Sequence, residues 1–439
     1  MQLSKHNRLI MGLALFSMFF GAGNLIFPPY LAYQAGTATW PAMIGFCISA
    51  IGLPMLGVIA AVRAGGLDVL TGRVGRVFSQ IYIILSFLAI GPGLAVPRNF
   101  VTSFEMAVLP FVGEDANIAL YQSIYSLVFC VVVILIALKP EKLSNWFGKI
   151  MTPTLLVISA VILGACIFGT KQVYGAVSPH YQDSPAATGF LEGYQTMDAI
   201  ASLNFGFLFA LNLRARGVDG QKQLTKETVR AGWLAGFLLL LVYSALAHIG
   251  GIAGGLVSGA TNGARTLAGI VGVFFGPVGN VILAVAFVVA CLNTSLSLLT
   301  SCSDYFHKIL PKISYRAFLI FFAVVSMIIA NAGLNKILEI SVPILGAIYP
   351  LCILLILLEF IHRWIKKFPE VYPVSVAVTT VVSVLAVLTG FDWCPGFIFK
   401  AIYALPFAEE QLAWIVPTVV SIFLGIIISL IRKKCRKAA

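Results

Sequence analysis

The chain has 439 residues, 59% of them hydrophobic and only 10% charged, and it carries a formal net charge of +12. So few charged side chains cannot cover a water-facing surface, which excludes a soluble globular protein. The basic excess raises nucleic acid as a partner, a question that only the positions of the lysines and arginines can decide.

An apolar run of about 20 residues crosses the hydrocarbon as a helix. Twelve such runs are predicted in chain order, at 9–33, 40–62, 77–96, 118–138, 147–168, 190–213, 231–252, 270–302, 317–334, 337–361, 371–391 and 412–431. Membrane barrel strands are about ten residues of alternating pattern, so the expected class is an all-α membrane protein of twelve transmembrane helices. The first run continues past the length of a signal-peptide core into Asn24 and the Pro28-Pro29 pair, without a small-residue cleavage site, and is read as a retained helix.

With the N-terminus placed in the cytoplasm, all but five of the 29 basic residues fall on the cytoplasmic side; the five are Arg98, Lys171, Arg265, Lys336 and Lys400. This is the positive-inside pattern. A missing or extra helix would scramble it, so it supports both the count and an orientation with both termini cytoplasmic. It also accounts for the charge, and no nucleic-acid partner is expected. The basic run at 432–437 reads either as a contact with anionic lipid or as the anchor that stops the last helix. Membrane lipid is the expected surround, and no obligate protein partner is inferred.

The eight cysteines show no C-x-x-C spacing and the five histidines no paired arrangement. With no phosphate-binding glycine loop or nucleophile elbow either, nothing in the sequence supports enzymatic chemistry.

Function must therefore be read from irregularities inside the spans. The first contains Gly21, Ala22, Gly23 and Asn24, where glycines remove helix propensity and an amide lies at membrane depth. The sixth is the most polar of the twelve, with Gln195, Thr196, Asp198, Ser202 and Asn204. An ionisable group at mid-span faces a partner, a cavity or unwound backbone. Glycines beside such a residue suggest a discontinuous helix, whose free N–H groups meet an anionic group and whose free C=O groups meet a cation. Close helix packing through small residues is the structural alternative for 21–24, and capping of a broken end is the alternative for Asp198.

Spans one and six are five apart, so a five-helix repeat is necessarily inverted, and paired breaks in inverted halves point to a midplane site. The expected division is a first repeat at 1–168, an extracytoplasmic loop at 169–189, a second repeat at 190–367, and two further helices with a basic tail at 368–439. Span eight offers Asn293, Thr294, Ser295 and Ser297; such oxygens either bond back to their own helix or serve a hard cation beside the opened span one.

At these residues the sequence resembles the bacterial branched-chain amino acid:cation symporter family. The resemblance runs over nearly the whole chain, through FGAGNLIFPP at 20–29, GYQTMDAIASLNFG at 193–206, ACLNT at 290–294, NAGLNKILEISVPILGAIYP at 331–350 and LAWIVPT at 412–418. It implies the five-plus-five inverted-repeat fold of the leucine-transporter type, in the bacterial inner membrane, with sodium-coupled uptake of leucine, isoleucine and valine by alternating access. It also implies a sodium site of main-chain oxygens of Ser17, Phe20 and Ala290 with the side chains of Asn293 and Thr294. Asn24 and the Gly21–Gly23 backbone would hold the substrate's charged groups, opposite the break that runs from Gln195 through Asp198 to Ser202. Phe19, Phe205 and Phe207 are candidates for the apolar wall. Asn293 departs from the family pattern, which has a small residue before the helix-eight threonine. Another small apolar amino acid such as methionine, and proton coupling, remain open; a channel or a membrane-embedded enzyme lacks a filter or a reactive constellation.

Overall fold

Because an apolar chain in lipid must satisfy its backbone internally, it folds as helices, and in the computed structural model every described element is helical. The structure describes residues 3–113, 115–138 and 173–438, together with 157, 161 and 164. The fifth predicted span, 147–168, lies outside them apart from those isolated positions, as do Lys139, Lys142, Lys149 and Lys171.

The first half of the chain forms α1 (Lys5–Phe19), α2 (Ala22–Ala35), α3 (Thr39–Cys47), α4 (Leu53–Ala64), α5 (Leu67–Gly72), α6 (Arg76–Leu88), α7 (Ala95–Ala107) and α8 (Ile118–Ala137). The second half forms α9 (Pro185–Glu192), α10 (Asp198–Arg214), α11 (Gln221–Leu256), α12 (Gly263–Ile309), α13 (Tyr315–Ala330), α14 (Leu334–Ile365), α15 (Val371–Leu388), α16 (Gly396–Tyr403) and α17 (Ile415–Ala438). Among the described residues eight continuous helical runs are long and apolar enough to cross a bilayer, nine with the bent pair α9–α10, and α13 is apolar but shorter. The run Gly23–Ala64 alone holds the second half of the first predicted span and the whole of the second. The outward faces are apolar, as lipid requires: Ile124, Leu127, Val131 and Leu135 of α8 and Trp233, Phe237 and Leu241 of α11 are all exposed.

Two predicted boundaries are corrected. Span three does not end at 96. After a π-helical turn at Ala89–Gly93, kinked at Gly91, it continues as α7, which buries nearly every side chain. Span eight is not one straight rod; Gly276, with φ 58° and ψ −155°, turns the chain just before Pro277, so the expected 270–302 run straddles a corner.

The packing partners of the broken spans are crossed. Both halves of span one, α1 and α2, lie along α11, while both halves of span six, α9 and α10, lie along α3 and α4. Small residues permit close approach. A Cβ built on Gly45 would come within 1.8 Å of the Ala186 carbonyl oxygen, and one on Gly189 within 1.9 Å of that of Ala42, so α3 and α9 meet backbone to backbone.

At the other end, polar clusters tie the helices. Glu359 of α14 is 2% exposed and pairs with Arg73 and with Arg63 Nε at 3.4 Å, and Arg73 also donates to the Tyr372 hydroxyl at 3.0 Å. Glu227, at the start of α11, pairs with Arg8 of α1 at 3.2 Å and with Arg230 at 2.7 Å. Removing the carboxylate from a buried pair strands its partners, whereas an exposed pair contributes little. Glu359→Ala is accordingly expected to lower stability by about 2–3 kcal/mol, and loss of the more exposed Glu370–Arg432 pair by Glu370→Ala by less than about 1 kcal/mol. Thermal unfolding in detergent measures both; equal shifts would contradict the assignment.

Candidate functional site

The helical ladder of span one stops at Phe20. There the Gly21 N–H closes on Phe19 O at 2.9 Å instead of reaching four residues back, and Gly21 is extended at φ −110° and ψ −179°. α2 then restarts at Ala22 with no side-chain cap, leaving its first amides without a helical partner. Pro28 and Pro29, inside α2, withhold the helical donors from the Asn24 and Leu25 carbonyls.

Span six breaks differently. α9 tightens into a 3-10 turn at Gly193–Thr196, Met197 takes left-handed angles at φ 61°, and α10 leaves at a bend of 47°. A left-handed methionine costs of order 1–3 kcal/mol and persists because the surroundings over-determine it. Among these, the stacked Tyr194 and Tyr349 rings, centroids 4.1 Å apart, hold the turn against α14.

The two breaks face each other across a cavity of about 620 Å³, within the roughly 300–1,000 Å³ usual for small-molecule sites. Asn24 joins them: its amide nitrogen donates to an Asp198 carboxylate oxygen and, at 2.5 Å, to the Tyr243 hydroxyl of α11. The Asp198 N–H is capped by the Thr196 hydroxyl at 3.3 Å. Asn24 is 4% exposed and Asp198 6%, so the carboxylate is held in a nearly dry site by the Asn24 amide.

Of the sequence-derived candidates, Ser17, Phe20, Gly21, Gly23, Asn24, Asp198, Phe205, Asn293 and Thr294 line this one cavity. Ala22 opens α2 between two of them. The Thr294 hydroxyl donates to Ala290 O at 3.1 Å, with Ala290 fully buried behind it, and a Cβ on Gly21 would lie 3.3 Å from that hydroxyl. Spans one and eight thus approach each other closely at Gly21 and Thr294. Among the described residues no group of three His, Cys, Asp or Glu side chains is placed to hold a metal.

Three candidates sit elsewhere. Gln195 is buried beside the cavity, where its carbonyl accepts from Arg98 at 2.5 Å. Ser202 is fully buried against Gly57 of α4 and bonds back to Ala199 O at 2.6 Å, so it packs α10 on α4 and does not line the cavity. Phe207 is 52% exposed on the outer surface, away from the cavity. Its partner candidates remain, with Phe19 and Phe205 edge to face at 5.6 Å.

Arg98 was missed. The sequence pattern put it in a loop on the far face, yet α7 carries it into the cavity wall with 4% exposure, beside Asn99. The cavity continues from the breaks along Leu208, Leu211 and Asn212 of α10 and Ser297, Thr300 and Ser301 of α12. It therefore opens toward the end that holds Arg214 and Lys308.

A helical membrane bundle with two facing broken spans around a polar cavity defines a transporter fold. The solved structure of Mhp1, a nucleobase-cation-symport-1 family transporter captured closed with bromovinylhydantoin bound, shares it at a TM-score of 0.63 with 15% identity, covering 95% of this chain and 90% of that one. Residues 4–432 match the family described as "Branched-chain amino acid transport protein", and the chain belongs to that family. It is 37% identical over 437 residues to the branched-chain amino acid transport system 2 carrier protein of Pseudomonas aeruginosa, covering 98% of each. It is also 37% identical over 425 residues to the branched-chain amino acid permease BraB of Bacillus subtilis, covering 96% of this chain and 95% of that one. These relatives are named as carriers and permeases, not enzymes, and the chain is a multi-pass membrane protein of that kind.

The geometry separates two substitutions. Asp198→Asn keeps an oxygen for Asn24 but loses the charge, so leucine uptake should fall at least about tenfold with insertion and size-exclusion profile retained. Ser202→Ala removes only a bond within its own helix and should leave uptake within about twofold. The reverse ranking would show that the cavity has been assigned to the wrong face of α10.

Proposed function

We propose that the protein is a sodium-coupled symporter that carries leucine, isoleucine and valine into the cell across the bacterial inner membrane by alternating access. The observation that carries this reading is the joining of the two breaks in one cavity, where α2 presents uncapped amides, Asp198 a directed carboxylate, and Thr294 a hydroxyl beside Gly21. Met18, Phe19, Phe20, Ile90 and Phe205 supply apolar walls suited to an aliphatic side chain.

The architecture proposed is twelve spans with both termini cytoplasmic, repeats at 1–168 and 190–367 related by inversion, and two helices at 368–439 outside the repeat. Crossed packing supports it. If span one corresponds to span six and span two to span seven, then span one lying on span seven demands span six lying on span two, and both contacts are present. Span three packing on span eight maps onto itself under the same rule.

Sodium would bind among the main-chain oxygens of Ser17, Phe20 and Ala290 with the side chains of Asn293 and Thr294. Substrate would bind between Gly21, Ala22, Gly23 and Asn24 on one side and Asp198, Gln195 and Phe205 on the other. With the basic end cytoplasmic, the cavity faces inward, and transport requires it to open to the two sides in turn. One positive charge entering across 100 mV contributes about 2.3 kcal/mol, added to the sodium gradient.

Proteoliposomes with sodium and proton gradients imposed separately test the coupling. An inward sodium gradient should drive leucine accumulation competed by isoleucine and valine, and Thr294→Ala should raise the sodium concentration for half-maximal uptake about tenfold, a loss of ~1.4 kcal/mol. Accumulation that follows protons and ignores sodium would overturn it.

A further inference from the structure

Arg98 is a buried cation that neither the fold nor the ion site uses up. Its Nη1 donates to Gln195 O at 2.5 Å, and the guanidinium lies over the Phe27 ring at 5.0 Å. Its Nε–H has no partner, although the residue is 4% exposed. Buried donors are almost always satisfied, so an orphan on a cavity wall asks for an acceptor from outside the chain. The Nη2 end reaches α2: a Cβ on Gly23 would lie 2.9 Å from it, so glycine is what lets the guanidinium approach this helix start. There the first amides of α2 have no cap, and amides plus a fork-shaped cation form an anion site.

The opposite charge stands across the same cavity. Asp198 is held by Asn24 and Thr196 and is equally removed from water. One cation and one anion lining a small cavity match a zwitterion, whereas a lone anion or a lone cation would leave one of them uncompensated.

We propose that Arg98, with the uncapped amides at Ala22–Asn24, receives the α-carboxylate of the transported amino acid while Asp198 faces its α-ammonium. This rests on the amino-acid reading of the cavity and adds the group that selects for the carboxylate. The alternative is that Arg98 only latches the span-six break through Gln195 O. A latch would affect every ligand alike, and a carboxylate receptor would not.

The test is ligand-induced thermal stabilisation of the purified full chain, titrated with L-leucine, with leucinamide, which lacks the carboxylate, and with 4-methylpentanoate, which lacks the ammonium. The wild-type chain should prefer leucine to leucinamide by roughly 10- to 100-fold. Arg98→Gln should erase that preference by weakening leucine while leaving leucinamide in place, and Arg98→Lys should retain part of it. Equal weakening of leucine and leucinamide in Arg98→Gln would overturn the proposal. If Arg98→Gln does not fold, Gly23→Ala, which displaces only the tip of the guanidinium, must narrow the leucine-to-leucinamide ratio, and an unchanged ratio would overturn it equally. Absence of any leucine binding by the wild-type chain would sink the amino-acid reading itself, and this proposal with it.

Discussion

Inside a bilayer an unpaired main-chain N–H or C=O has no water to turn to, and each costs several kcal/mol. A span that breaks in mid-membrane must therefore place its loose ends against protein or in a cavity. Among the described residues, spans one and six break at Phe20–Gly21 and at Met197, and both breaks open on the same cavity. Around that cavity polar groups at the breaks are combined with apolar walls. Asn24, itself bonded to Tyr243, donates to the Asp198 carboxylate, Thr196 caps the Asp198 N–H, and α7 brings Arg98 alongside.

The helices around the breaks are held by different chemistry at their two ends. α3 and α9 meet through Ala42, Gly45, Ala186 and Gly189, where close approach needs no interlocking side chains to be undone. The opposite end is tied by ion pairs around Glu227 and Glu359, each of which links helices from different parts of the sequence. Backbone-close apolar contact holds one end and a small number of charge pairs the other.

Much of this was legible in the residues. Glycines at 21 and 23 and the polar run from Gln195 to Ser202 marked the breaks, because helix propensity and membrane insertion both fail there. The face of α10 was harder. Ala201, Phe205, Leu208 and Asn212 form a stripe at spacings of four and three, and that stripe lines the cavity. Ser202 and Phe207 fall off it, one against Gly57 and the other on the outer surface. Arg98 was hidden for a different reason. The third apolar run reads as ending at Val96, and the stretch beyond it carries Arg98, Asn99, Thr102, Ser103 and Glu105, too polar for hydropathy to register as membrane helix. A helix that buries all of its faces in protein need not be apolar, so composition gives no signal for it.

The central claim is that the first amides of α2 and the turn at Met197 face one cavity, proposed to take solute and ion. Hydrogen–deuterium exchange at residues 19–24 and 194–198, with and without L-leucine and sodium, measures those amides directly. Both segments should exchange quickly in the ligand-free chain and slow together when the ligands are added. Amides already protected like helix interior without ligand, or unaffected when leucine binds, would contradict it.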